Sequence, residues 1–274
     1  MDLDELKHLL RRTEFIARPD RIAALSSLSR ADAAANILDV GQNGTPTLPV
    51  YFQSEDQNSS WDQYVAACSW WLDRMVHTPR PMQEKMTLFW HGHFTSGWWD
   101  IGKGFHMMLQ NHLYRQRALG DFRLLTQDMA IQPAMLVYLS NAGNVKGEPN
   151  QNFARELMEL FTLGVGNYTE ADVDASARAW TGHNADWPDY VYQFYPNRHD
   201  TGSKTFFGTT KNWNGPDIIN EILRDNATKK VIAARFIAKK LWEFFAYVGP
   251  PDTIVNELAT VFLNSTPNPL DIKV

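Results

Sequence analysis

Cysteine is almost missing from this sequence: Cys68 stands alone among 274 residues. That excludes an intrachain disulfide framework and any cysteine-rich zinc or iron–sulfur centre. Excess positive charge is missing too, with 26 Lys and Arg against 31 Asp and Glu and a formal charge of −5. Such a balance gives no uniform field for a phosphate backbone, so no nucleic acid is expected as a partner. No apolar run approaches the ~18 residues that a membrane span needs. The opening Met1-Asp-Leu-Asp-Glu-Leu-Lys7 lacks the basic-then-apolar order of an export signal. The expectation is a cytoplasmic protein as the chain stands, and an exported one if a leader precedes it. Also absent are a Gly-X-Ser-X-Gly elbow, a His-Glu-X-X-His helix, a Walker loop and a dinucleotide glycine fingerprint. These gaps lower the odds of a serine hydrolase, a zincin protease and an NAD enzyme.

What is present is globular composition, 44% hydrophobic and 21% charged, enough to bury a core and too apolar for disorder. Aromatic content reaches 12%, and four of the ten tryptophans come as the pairs Trp70-Trp71 and Trp98-Trp99. Aromatic rings supply core area first and ligand platforms second. Most of them here sit at helical spacing, which favours the core.

Helical signals dominate the chain. Leu3, Leu6, Leu9 and Leu10 share one face, Pro19 suits a first turn, and Ser29 suits a cap for Arg30 to Val40. Loops are expected at 41–49 and 54–60. Helices are expected at 61–77, 83–93, 102–119, 121–130 and 134–140, and from Asn150 to the break at Gly164. Thr169 with Asp172 reads as a capping box for 170–181. Tyr190–Tyr195 and Thr205–Phe207 carry the aromatic and β-branched content of short strands, joined by a polar turn-rich connection. Helix resumes at 217–224, 229–248 and 253–263. The fold class expected is mainly α, a layered or orthogonal multi-helix assembly with one small β hairpin near 190–207.

Three constellations could carry chemistry. The first is Phe89-Trp90-His91-Gly92-His93-Phe94. On a helix the two imidazoles diverge by about 200°, with His93 on the face of Met86 and Phe89 and His91 beside Glu84. A turn at Gly92 would instead let both reach one metal. The second is the helix after Asn150, where Arg155, Glu156 and Glu159 oppose an apolar side. It reads either as a solvated face with an Arg155–Glu159 pair or as a cleft wall with two carboxylates for metal or acid–base work. The third is His199-Asp-Thr-Gly-Ser-Lys204, an oriented base with an anion-binding turn or a plain hairpin loop.

These segments resemble the bacterial family called domain of unknown function 1800. The matching runs are Arg74–Pro79, Glu84–Phe94, Pro133–Leu139, Pro149–Gly164, Asp172-Val173, Ala177–Gly182, His199-Asp200 with Lys204 and Gly208, and Lys239–Trp242. The resemblance brings no established activity. It implies that the chain is one helical unit, 1–274, forming the N-terminal part of a longer family domain, and it departs from the pattern at Gln151 and His183. It also implies one shared polar site: His91, His93, Glu156 and Glu159 around a divalent metal ion, with Glu156, Glu159, Arg155, His199, Asp200 and Lys204 as catalytic candidates. The alternative is a non-catalytic binding or assembly module for a glycan or a protein partner. There Trp98, Trp99, Trp187 and Trp213 would provide stacking surfaces, and the polar motifs would be structural.

Overall fold

Local signals set the helices before packing joins them. Asp2 accepts from the Glu5 N–H while Glu5 reaches back to the Asp2 N–H, opening the first helix with a reciprocal cap. Ser29, Asp121, Thr169, Asn214 and Asn226 cap later helices with their side chains. Pro19, Pro81 and Pro133 occupy first turns, where no N–H is needed. The computed structural model describes residues 1–40, 47–52, 54–55, 60–266 and 269–273. Most of the expected loops at 41–49 and 54–60 thus lie outside the described residues.

Fourteen α-helices are present among the described residues. In chain order they are α1 Leu3–Thr13, α2 Pro19–Leu25, α3 Arg30–Leu38, α4 Ser60–His77, α5 Pro81–His93, α6 Trp98–Ile101 and α7 Gly104–Gln116. Then follow α8 Phe122–Ala130, α9 Pro133–Tyr138, α10 Asn152–Glu156, α11 Glu170–Ala179, α12 Gly215–Asn220, α13 Ala227–Phe245 and α14 Asp252–Leu263. Two π-helical turns, Leu157–Thr162 and Glu221–Asp225, extend α10 and α12. No described helix is long and apolar enough to cross a membrane.

The architecture is mainly α with a small β element, as the sequence implies. That element is two hairpins, not one. β1 His183–Asp186 pairs antiparallel with β2 Val191–Phe194, and β3 Lys204–Phe206 pairs with β4 Thr209–Lys211. Each strand closes on its nearest sequence neighbour: Phe207 and Gly208 both take positive φ, the conformation of a tight two-residue hairpin turn. A cross-link from the Phe207 N–H to Asp172 Oδ1, 2.9 Å, ties that turn to the cap of α11.

The core is built around α5, which touches α1, α3, α4 and α7. Trp90, Tyr114, Phe122, Phe153, Met158 and Trp180 are buried almost completely, each contributing roughly 1.5–3 kcal/mol by leaving water. At one point backbone meets backbone: a Cβ on Gly104 would lie 2.6 Å from the Ser60 carbonyl and 2.6 Å from the Tyr64 nitrogen. The start of α7 therefore rests directly on the start of α4. α6 is short because Gly102, at φ 67°, ends it one turn after Trp98; the expected helix 102–119 is α7, and α6 precedes it as an element the sequence reading did not include.

Candidate functional site

Both histidines of the first constellation lie on α5, and the helix sends them apart. His93 points inward and is fully buried. Its Nε2 donates to the Phe161 carbonyl at 2.9 Å, and its Nδ1 accepts from the Lys240 ammonium at 3.3 Å, which assigns the tautomer. Burial first, then the Lys240 charge, pushes its pKa down to about 3 against the pull of the Phe161 bond. It is a neutral crosslink with both nitrogens in use. His91 faces the other way, edge-on to Trp71 with ring centres 5.2 Å apart. Burial alone holds its pKa below the ordinary value, with no charged or hydrogen-bonding neighbour acting on it.

The long polar motif spends its charges separately. Arg155 forms a bidentate pair with Glu170, both contacts 2.7 Å, in place of the expected pair with Glu159. Glu159 accepts from the Tyr168 hydroxyl. Glu156 is raised in pKa by partial burial and by Glu159. The link between the first two constellations is the His93–Phe161 backbone contact rather than a meeting of carboxylates with imidazoles. Among the described residues, no group of three or more His, Cys, Asp or Glu side chains is placed to hold a metal ion. Gln151 starts the helix without a side-chain cap bond. His183 is buried between Trp180 and Phe194, each 4.8 Å away, and meets the Tyr192 hydroxyl.

The third constellation is internally satisfied. Lys204 is 2% exposed, and its Nζ serves the carbonyls of Asp200, Gly202 and Trp213 and the Asn212 side chain. Asp200 pairs with Arg178 at 2.7 Å, which chiefly holds its carboxyl below the usual range. His199 Nδ1 meets the Thr181 carbonyl at 2.9 Å. These residues gather as a loop-stiffening network.

A cavity of about 250 Å³ lies between α4, α5, α6 and α7. Tyr64, Cys68 and Trp71 of α4, His91 of α5, Trp98 and Trp99 of α6, and Asn111 of α7 face it. Its mouth is aromatic. Trp98 stacks on Tyr64 at 5.3 Å and meets Trp61 at 4.8 Å and Trp99 at 5.1 Å. Trp99 is 83% exposed and Trp61 47%, large apolar areas left in water. Of the other two expected stacking residues, Trp187 is exposed, whereas Trp213 is buried and bonded to the Thr209 carbonyl. Trp213 is therefore no surface platform.

Behind the aromatic wall lies a buried ion network. Glu84 accepts from Arg115 at 2.7 and 2.9 Å, from Arg74 at 3.0 Å and from the Trp71 indole at 3.0 Å. Burial opposes its charge, but the two guanidiniums prevail and hold its pKa below the carboxylate norm. Arg115 also donates to Asn111 Oδ1 at 2.7 Å. An arginine can only donate, so Asn111 must present its amide nitrogen elsewhere. That Nδ2, like the Trp98 Nε1, is buried with no partner among the described residues. Buried donors of this kind are rare in native folds because each costs about 1–3 kcal/mol.

Sequence reasoning singled out His91, Trp98 and Trp99 but missed Tyr64, Cys68, Trp71 and Asn111. A signal existed: Trp61, Tyr64, Cys68 and Trp71 recur along one stripe of α4, although the same spacing describes a core face. The family model for proteins of unknown function (DUF1800) matches residues 8–274. No curated protein and no solved structure matches the chain.

Proposed function

As the chain belongs to this family of unknown function, which supplies no chemistry, we propose from geometry that it is a saccharide-binding module whose site is the α4–α7 cavity. The supporting observation is a row of touching indoles, Trp61, Trp98 and Trp99, two of them largely in water, at the mouth of a concave site lined by His91. A sugar ring presents C–H faces that stack on aromatic planes and a rim of hydroxyls that need directional partners. Trp98, Trp99 and Tyr64 suit the faces; His91 suits the rim. The volume accommodates about one ring, with further units lying along Trp99 and Trp61. Concavity favours a small ligand over a flat protein surface. The neutral imidazole of His91 can donate at one nitrogen and accept at the other, which matches the dual character of a hydroxyl.

Tryptophan fluorescence and titration calorimetry against an oligosaccharide panel test the proposal. Saturable binding with an indole spectral shift is expected. Trp99→Ala should weaken it about tenfold, the equivalent of ~1.4 kcal/mol, with the melting temperature unchanged because this ring is largely exposed. A panel in which no saccharide perturbs the fluorescence or releases heat would overturn the reading.

A further inference from the structure

The chain carries a formal charge of −5, yet a second cleft is lined by three cations against one carboxylate. Its volume is about 450 Å³, and it shares no lining residue with the α4–α7 cavity. Arg123 comes from α8, Arg224 from the π-helical turn Glu221–Asp225, and Lys230 from α13. Arg224 grips Asp225 through Nε and Nη2 at 2.7 and 3.0 Å, which leaves Nη1 unbonded among the described residues. Arg123 reaches Asn220 and the lining carboxylate, Asp121, only at 3.3 Å each. The other Asp121 oxygen caps α8. Lys230 is half-buried, and among the described residues its ammonium has no ion pair and no hydrogen bond. It stands in the first turn of α13, where the helix dipole disfavours a cation and no acidic side chain offsets it. Its neighbour Lys229 turns instead to the Asn167 carbonyl at 2.6 Å. Asp225 registers the convergence: its Arg224 bond chiefly holds the carboxyl below the usual range, and Lys211 and Arg123 add to the pull.

We infer that this cleft binds a small soluble phosphate monoester with an apolar body, its oxygens accepting from Lys230 and from the remaining N–H groups of Arg224 and Arg123. The inference is independent of the saccharide reading. A concave wall of low dielectric concentrates the field of an unanswered cation and raises the local concentration of anions. Phosphate suits donors that arrive from three elements, because its three terminal oxygens point in three directions. A carboxylate offers two, in one plane. The apolar side of the cleft is open to the rest of the ligand: Leu263 is half-buried and Pro269 exposed. A bare inorganic phosphate would leave that surface in water, whereas an apolar ester covers it.

Calorimetry on the full chain compares phenyl phosphate with inorganic phosphate and with phenol. Phenyl phosphate is expected to bind saturably and about tenfold tighter than inorganic phosphate, with an affinity that falls as salt is raised, while phenol gives no heat. Lys230→Gln should weaken phenyl phosphate about tenfold without lowering the melting temperature, since this ammonium has no partner to lose. Lys229→Gln, one position away, and Trp99→Ala, at the sugar cavity, should both leave phenyl phosphate binding at the parental level. Absence of binding, inorganic phosphate binding as tightly as the ester, parental affinity in Lys230→Gln, or a loss in Trp99→Ala would each overturn the inference. A lipid source of the same headgroup is separated by sedimentation with phosphatidylcholine vesicles containing phosphatidic acid. Vesicle binding that phenyl phosphate does not compete away would also overturn it. None of these outcomes bears on oligosaccharide binding at the α4–α7 cavity, which is measured separately.

Discussion

Two polar clusters of this molecule have similar ingredients and opposite fates. The loop from His199 to Lys204 holds a histidine, an aspartate and a lysine, and nearly every polar atom there closes on a neighbour. The α4–α7 cavity is lined by a histidine, a cysteine, an asparagine and several indoles, and buried in its wall the Asn111 Nδ2 and Trp98 Nε1 donors have no partner among the described residues. Residue types do not separate the two. What separates them is whether the hydrogen-bond capacity is already consumed. A fold tolerates an unspent buried donor only where another stabilising term, or a ligand, offsets it.

The sharpest way to break the comparison is Glu84→Ala. It strands Arg115 as a buried cation behind the cavity and should cost about 3–5 kcal/mol, read as a large drop in the denaturation midpoint together with lost ligand binding. Retained stability would mean that the network does not support the cavity wall. Next in size is Lys204→Met. Several buried carbonyls then lose their only cation, for a loss of about 2–4 kcal/mol, yet sugar binding at temperatures below the transition should stay at the parental level. A variant that loses binding while keeping its melting temperature would reverse the roles assigned to the two clusters.

The pH dependence of stability tests His93 of α5. The folded pKa of His93 is about 3, well under the ordinary 6.5, so the unfolded chain binds an extra proton between those values. Stability from this group is complete above pH 6.5 and drains away as pH falls toward 3, by roughly 1.4 kcal/mol per pH unit at most. His93→Gln, which keeps a donor for the Phe161 carbonyl, should flatten that acid slope in urea titrations at stepped pH. An unchanged slope would mean that His93 is already charged or exposed in the native state.

The helices were legible because their signals are local. The Thr169/Asp172 box, the Ser29 cap and the Pro19 first turn each act within four residues, and they appear where the spacing places them. The divergence of His91 and His93 was one of two readings that Gly92 left open, and α5 decides it by continuing through that glycine. Pairings that cross the chain were not. Nothing near Glu84 announces Arg115, thirty-one positions on, and Arg155 had two acidic candidates on its own helix before Glu170 of α11 took it. The strands at 190–207 were visible as composition, but which strand pairs with which depends on the left-handed turn at Phe207 and Gly208. In the cavity, the tryptophan pair of α6 stood out by its rarity. Asn111 did not, because an asparagine gains meaning only from the arginine that orients it.

The backbone seam at Gly104 bears on the aromatic rim. With no side chain between α7 and the first turn of α4, the two walls cannot drift apart at that end without opening a void. The seam touches Ser60 and Tyr64, so it clamps the same turn of α4 that carries Trp61 and Tyr64 into the aromatic rim. The spacing of α4 and α7 beneath that rim is thus set by main chain against main chain, with no rotatable side chain to adjust it.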